Sequence, residues 1–293
     1  MARAINQSIQ QVNSNTWLIC GRLLCERISR STDADWDDEV DIAKSYRLTL
    51  DPSPAPDKVT DLDSHDPHIQ LQYDPGGCSA VWAIGNNAFC KVKSLISGVT
   101  PEKDTLAYVE NLHNRKFTTP KVIYHIQLED RTILILQRLP GRTLGEAWPT
   151  LDIRWKENYA KMIVESCKDL AVQKHGKLCG VDGISGIPEE YLIQKRKEKD
   201  FSCTNLQKAC EQIGMDCSEF VFYHADLGPG NIIVEDDPPQ KGTIGIIDWE
   251  IAGGLDLPDG SLEWRILVQE LMGANNFESH LQEWADWWGY IIN

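Results

Sequence analysis

The chain has 293 residues, 42% of them hydrophobic and 25% charged, a balance that excludes a disordered, collagen-like or membrane-embedded polypeptide. Twenty-nine Lys and Arg against 44 Asp and Glu leave a net charge of −15. This argues against a protein that grips nucleic acid or an anionic membrane, and it mildly favours a cationic small molecule as partner.

The nine cysteines are scattered, with no Cys-x-x-Cys pair and no histidine at zinc spacing, so they read as reduced thiols. The N-terminus lacks an apolar leader and no apolar run is long enough to span a bilayer, so a cytoplasmic location is expected. The expected assembly is a monomer or weak dimer.

In chain order, residues 1–67 come first. They hold an apolar stretch from Trp17 to Leu24, an acidic run from Asp33 to Asp41 that reads as a solvated loop, and a Pro- and Asp-rich stretch over 51–67. No chemical motif occurs here, and the segment is expected as an N-terminal extension and linker packed on the rest of the chain. Residues 68–139 read as strands at 69–73, 80–85, 88–93, 122–128 and 132–139, with hairpin turns at Asn86-Asn87 and Glu129–Arg131. One helix interrupts them, predicted to start with Thr100 as N-cap and Pro101 at the first position and to run toward His113. Residues 140–293 are mainly helical, with predicted helices at 152–174, 188–197, 203–213, 261–273 and 278–290. A single hairpin, 231–235 with 243–248, is embedded among them. The fold class is therefore α+β: a small antiparallel-sheet lobe with one helix, then a larger helical lobe.

Chemistry concentrates in one stretch. His224–Asn231 reads HADLGPGN, and 17 residues after Asn231 an apolar strand ends at Asp248 in IIDWE. A carboxylate, an amide five residues on and a second carboxylate across a hairpin suit phosphoryl transfer. That reaction needs a base for the attacking hydroxyl, oxygen ligands for Mg²⁺ and positive charge on the phosphates. Asp226 supplies the first, and Asn231 and Asp248 supply hard oxygens of the kind Mg²⁺ selects. Gly228, Pro229 and Gly230 let the backbone turn sharply enough for Asp226 and Asn231 to face one place. The plainer reading, three ordinary turn residues, requires their spacing to be coincidence.

HADLGPGN together with IIDWE resembles the aminoglycoside phosphotransferase and choline kinase superfamily, within the protein-kinase-like fold. FYHADLGPGNIIV with GIIDWE, and SAVWAIGNNAFCKVK upstream, are similar to fungal phosphotransferase-domain proteins. The resemblance implies a two-lobed kinase-like fold, ATP and Mg²⁺ as cofactors, Asp226 as catalytic base and Asn231 and Asp248 as metal ligands. His224 would have a supporting role in shaping the loop, which fits its plainer reading as a packed, hydrogen-bonded histidine.

The same resemblance asks the first lobe for a phosphate-binding lysine. Lys91 and Lys93 share one strand parity, so alternation cannot choose between them; the family pattern places the lysine directly after the apolar triplet, which favours Lys91. A solvated strand lysine is the competing reading. On a helix turning about 100° per residue, Glu102 lies near the centre of the Leu106, Val109 and Leu112 stripe, whereas Glu110 lies about 100° away. Glu102 is the expected partner of Lys91, although a first-turn Glu also suits the helix dipole without any other purpose. Asp74–Ser79 occupies the place of a nucleotide-covering loop, with Gly76, Gly77 and Ser79 as candidate contacts, and a plain β-turn as the alternative. Gln137–Leu139 would be the hinge whose backbone faces the adenine.

Segment lengths argue against a protein kinase. Only 45 residues follow Asp248, while 83, residues 141–223, separate the hinge region from His224; in protein kinases most of the helical lobe follows the second metal carboxylate. Ala225 and Trp249-Glu250 also replace the Arg and Phe-Gly of that family. In similar fungal sequences an aromatic, a Pro and a Trp-containing helix follow Asp-Trp-Glu. Here the chain passes from Ala252-Gly253 to Leu255-Asp256-Leu257-Pro258, so a substrate-side element is expected to be shortened. Trp284, Trp287 and Trp288 read as core of the last helix, and Asp182, Glu250, Asp256 and Asp259 as solvated loop acids, with a cleft lining that favours a cation as the alternative. The expected activity is transfer of the ATP γ-phosphate to a hydroxyl, or less readily an amine, of a small molecule. The alternative is an inactive kinase-like nucleotide-binding or regulatory module.

Overall fold

The first 61 residues, in which the sequence shows no motif, build a sheet of their own. In a computed structural model that describes residues 3–193, 199–212, 214–215, 217–237, 239–250 and 261–275, strands β1 (Ile9–Asn13), β2 (Thr16–Ile19), β3 (Leu23–Ser29), β4 (Trp36–Asp37), β5 (Lys44–Leu50) and β6 (Thr60–Asp61) pair antiparallel in the order β4-β5-β3-β2-β1-β6. The acidic run is largely the exposed loop its composition suggests, with Asp33, Asp35, Asp37 and Glu39 exposed, but it is tied down at several points. Asp38 is 5% exposed and pairs with Arg27, Asp37 accepts from Ser45 and Arg30, and Asp35 accepts from the Leu48 amide. Of these three carboxylates Asp38 is the buried one, and its ion pair with Arg27 offsets that burial.

Next come β7 (Ile69–Tyr73), β8 (Ser79–Ile84), β9 (Ala88–Ser94), helix α1 (Glu102–Glu110), β10 (Phe117–Thr118), β11 (Val122–Gln127) and β12 (Arg131–Gln137). Five of these strands form an antiparallel sheet ordered β11-β12-β9-β8-β7, with boundaries within two residues of those the hydrophobic pattern gives. The chain divides into two units: residues up to Leu95 with Lys121–Arg138, and Ile96–Pro120 with everything from Leu139. Helix α1 clusters with the second.

In the first unit, alternation decides what each strand face covers. Ala88, Cys90 and Val92 of β9, Ala80, Trp82 and Ile84 of β8, and Ile133 and Ile135 of β12 share one buried core with Trp17, Ile19, Leu23, Cys25 and Tyr46 of the N-terminal sheet. The N-terminal residues thus cover one face of the five-stranded sheet. Lys91 and Lys93, of opposite parity, stand on the other.

The second unit adds β13 (Arg142–Thr143), α2 (Leu144–Ala147), α3 (Ile153–Ala171), β14 (Lys174–His175), α4 (Glu190–Ile193), α5 (Cys203–Gln212), β15 (Phe220–Val221), β16 (Ile232–Val234), β17 (Ile244–Ile246) and α6 (Ser261–Ala274). Tyr159, Ala160, Ile163, Val164 and Leu170 form the buried stripe of α3, and α3 packs on α6. A four-stranded sheet, β10-β17-β16-β13, surrounds the expected hairpin. Its outer strands are two residues each, too short for a periodic signal. The architecture is α+β, with an antiparallel-sheet region followed by a mainly helical one.

Helix α1 begins one residue late. Thr100 is not its cap; Pro101 occupies the N-cap position in extended conformation and no side chain caps the turn. Thr100 is held elsewhere: its amide donates to Gly186 O at 3.0 Å and Val99 bridges Gly186 in parallel. Proline has no N–H to leave unsatisfied there. The predicted helix over 278–290 with Trp284, Trp287 and Trp288, and the segment from Ala252 to Pro258 with Asp256 and Asp259, lie outside the described residues. No helix among the described residues is long and apolar enough to cross a membrane.

Candidate functional site

Between β15 and β16 the chain makes one tight excursion that carries Asp226 and Asn231. Pro229–Asn231 is a 3₁₀ turn entered from an extended Gly228, with Pro229 buried against α2. Helix α2 is itself set by a capping box, Thr143 with Glu146. The turn folds Asn231 back so that its Nδ2 donates to the main-chain oxygen of Asp226 at 2.9 Å and to Asp226 Oδ2 at 2.8 Å. With the amide nitrogen committed, Oδ1 is the Asn231 side-chain atom left to meet a cation. Asp226 Oδ1 looks toward Gly228, where an added Cβ would still stand 4.0 Å away.

His224 joins this loop to the hairpin. Its Nδ1 accepts from the Asp226 amide at 3.2 Å and its Nε2 lies 3.0 Å from Ile247 O. One ring nitrogen accepts and the other donates, which is the neutral Nε2–H tautomer; burial lowers its pKa and keeps it neutral. The Ile247 amide in turn donates to Asn231 O at 3.0 Å. His224 is 9% exposed, with its ring edge-on to Trp249 at 4.8 Å. Trp249 is fixed by stacking on Phe117 and Phe222 and by donating from Nε1 to Ile246 O at 2.9 Å.

Asp248 sits between these anchors with φ +59°. A left-handed aspartate is uncommon, and such backbone persists where the surroundings over-determine it, often at functional sites. Burial raises the pKa of Asp226, the nearby charge of Asp248 raises it further, and the Asn231 hydrogen bond opposes both. Asp226, Asn231 and Asp248 are thus brought together.

Glu102, Asp248 and Glu250 also converge, each offering a carboxylate oxygen with all three within 4.8 Å of one another. Glu102 is 9% exposed. Three carboxylates so close repel one another unless a cation or proton intervenes, and an all-oxygen donor set of this kind fits Mg²⁺. Glu250 read as a loop acid from sequence. Its spacing two residues after Asp248 was the available signal, but only the path of the chain past Trp249 brings it to Glu102.

The other expected contacts lie mostly in the first unit. Lys91 is in mid-β9, opposite Val81 and Leu134. Glu102, its expected partner, belongs to the second unit. Gly76 and Gly77 have φ +89° and +108° in the β7–β8 connection, and Ser79 is buried at the start of β8. At the expected hinge, the Gln137 amide donates to Lys121 O and the Arg138 amide to Asn87 O. Leu139, in the second unit, packs against Gly245, where a Cβ would meet its Cδ1 at 2.5 Å.

No family model and no curated protein matches the chain. Among solved structures, a streptomycin–ATP ternary complex of APH(2")-IIa is 14% identical, with 70% of this chain and 77% of that one covered and a TM-score of 0.42. Aminoglycoside phosphotransferase APH(3'')-Id from Streptomyces rimosus is 12% identical, with 75% and 90% covered and a TM-score of 0.48. A thermostable mutant of aminoglycoside phosphotransferase APH(4)-Ia with AMP-PNP and hygromycin B is 17% identical, with 62% and 65% covered and a TM-score of 0.39. At identities and TM-scores this low, what the chain does is read from its own side chains.

Proposed function

We propose that this chain is an ATP- and Mg²⁺-dependent phosphotransferase that moves the γ-phosphate of ATP to a hydroxyl of a small molecule. The observation that carries the reading is the joint placement of Asp226, Asn231 and Asp248 by one loop and one hairpin. The hydrogen bond between Asn231 Nδ2 and Asp226 Oδ2 leaves Asp226 Oδ1 and Asn231 Oδ1 outside it, with the Asp248 charge close by.

In this reading the acceptor hydroxyl oxygen attacks the γ-phosphorus, the bond to the β-bridging oxygen breaks, ADP leaves, and the hydroxyl proton passes to Asp226. A carboxylate whose pKa is raised by burial and by Asp248 is a stronger base than an exposed one. Asn231 fixes the orientation of Asp226, and His224 holds the loop against the hairpin. Asp248, with Asn231 Oδ1 and the Glu102 and Glu250 carboxylates near it, would hold Mg²⁺; when bound, the ion neutralises phosphate charge as the transition state forms. Lys91 would add positive charge on the phosphates, and the Gly76–Gly77 loop would cover them. The net charge of −15 supports a cationic acceptor.

The test is a thermal-shift series with ATP, Mg²⁺ and both together, followed by an ADP-release screen over aminoalcohols, sugars and aminoglycosides. Stabilisation by the pair with ADP release on one chemical class is the expected result. Stabilisation without release on any class would favour a regulatory nucleotide-binding module, and no nucleotide effect at all would overturn both readings.

A further inference from the structure

The short turn at Ile5–Gln7 is anchored to the first unit on both sides. Ile5 is 5% exposed within the shared core. The buried Arg131 guanidinium, at the start of β12, donates to Ser8 Oγ at 3.1 Å and to Arg3 O at 3.0 Å, so residues flanking the turn are gripped by one rigid group. Asn6 lies between these anchors. Its Nδ2 donates to Asp74 Oδ2 at 2.8 Å, across 68 residues of sequence. The other oxygen, Asp74 Oδ1, accepts from the Gly76 amide at 3.0 Å.

Gly76 and Gly77 adopt left-handed backbone with no atom within 4 Å of where a side chain would begin. A side chain there would find no neighbour to pack on, and glycines lose the most conformational freedom when ordered. The Asn6–Asp74–Gly76 relay is a hydrogen-bonded tie that links the loop to the anchored turn.

We infer that Asn6 and Asp74 are positioning residues for nucleotide: the N-terminal turn holds the Gly76–Gly77 loop in the shape in which its backbone covers the phosphates of ATP. This rests on the proposed function. A loop already ordered before binding loses less entropy when ATP arrives, so the tie acts on nucleotide affinity rather than on the chemical step. It also gives the N-terminal sheet a part in nucleotide binding that its sequence does not announce.

The experiment uses the full chain, with MgATP affinity, the unfolding temperature without nucleotide, and the alkylation rate of the exposed Cys78 beside Gly77 as readouts. Asn6→Ala is expected to weaken MgATP binding about 3- to 10-fold, the scale of one lost hydrogen bond. It should speed Cys78 alkylation and leave the unfolding temperature within about 1 °C of the parent, as for most surface changes. Asn6→Asp alone sets two carboxylates face to face and weakens binding further. The reversed pair, Asn6→Asp with Asp74→Asn, keeps an N–H···O contact across the gap and an acceptor for Gly76, and it should restore affinity.

Parent-like affinity in Asn6→Ala, or a reversed pair that stays weak, overturns the inference alone. A fall in unfolding temperature that accounts for the lost affinity reduces the tie to a structural role and also overturns it. A parent protein that does not bind MgATP overturns the proposed function together with the inference.

Discussion

The side-chain amide of Asn231 donates to both the main-chain oxygen and the carboxylate of Asp226, at 2.9 and 2.8 Å, so one residue fixes the position and the rotamer of the other. Removing it should therefore act as a loss of orientation. Asn231→Ala is expected to lower kcat about 100-fold, within the range attributed to a positioned base. Asn231→Asp, which replaces the donor with a repelling oxygen, should be at least as damaging. Steady-state kinetics on the acceptor found by the ADP-release screen measure both.

Asp226 gives the clearest pH dependence. Its pKa is raised in the folded protein by burial first and by the Asp248 charge second. The native state therefore holds this proton more tightly than the unfolded state, and stability falls as pH rises from the unfolded to the folded pKa. Asp226→Asn should remove that loss, raising the unfolding temperature of the ligand-free protein at neutral pH by roughly 1–3 °C, while abolishing transfer and leaving ATP binding intact. Unfolding curves at pH 4 and pH 7 test it: the gain should shrink at the lower pH.

The carboxylate group of Glu102, Asp248 and Glu250 predicts a response to divalent cation. Mg²⁺ with ATP should raise the unfolding temperature, and Glu250→Gln should weaken that response several-fold. Glu110→Gln, at the far end of the same helix as Glu102, should not. Thermal shift against Mg²⁺ at fixed ATP compares the variants, and equal responses would remove Glu250 from the site.

Trp249 holds the hairpin end, the loop and the β10 segment together through His224, Phe222 and Phe117. Trp249→Ala should cost about 3–5 kcal/mol, as a large core truncation does. Trp249→Phe keeps an aromatic face but loses the hydrogen bond to Ile246 O, and should cost about 1–2 kcal/mol less than the alanine change. Chemical denaturation gives both values.

Lys91 and Lys93 project from the same face of β9, yet the proposed function uses only one. Lys91→Met is expected to raise the KM for ATP or abolish turnover, and Lys93→Met to leave both within about twofold, as for a surface change. Comparable losses from the two variants would mean that the family pattern chose wrongly.

The strands of residues 69–137, the long helix α3 and the 231–248 hairpin were legible because each carries a hydrophobic period long enough to read. The candidate site was legible where its members are close in sequence: Asp226 and Asn231 are five residues apart, and Asp248 closes the adjoining hairpin. What could not be read lacked either length or locality. Strands β10 and β13 have two residues each, Thr100 was drawn from its capping position by Gly186, and the burial of Asp38 within the exposed acidic run depends on its pairing with Arg27.

By itself the sequence determined the α+β class and the spacing that links Asp226, Asn231 and Asp248, because local periodicity and short-range spacing are properties of a few consecutive residues. Only the tertiary structure decided that the first 61 residues form a sheet backing the strand of Lys91, that Asn6 reaches Asp74, and that Glu250 and Glu102 join Asp248. Each of those depends on where distant backbone segments come to rest, and that is set by which apolar faces can be buried together.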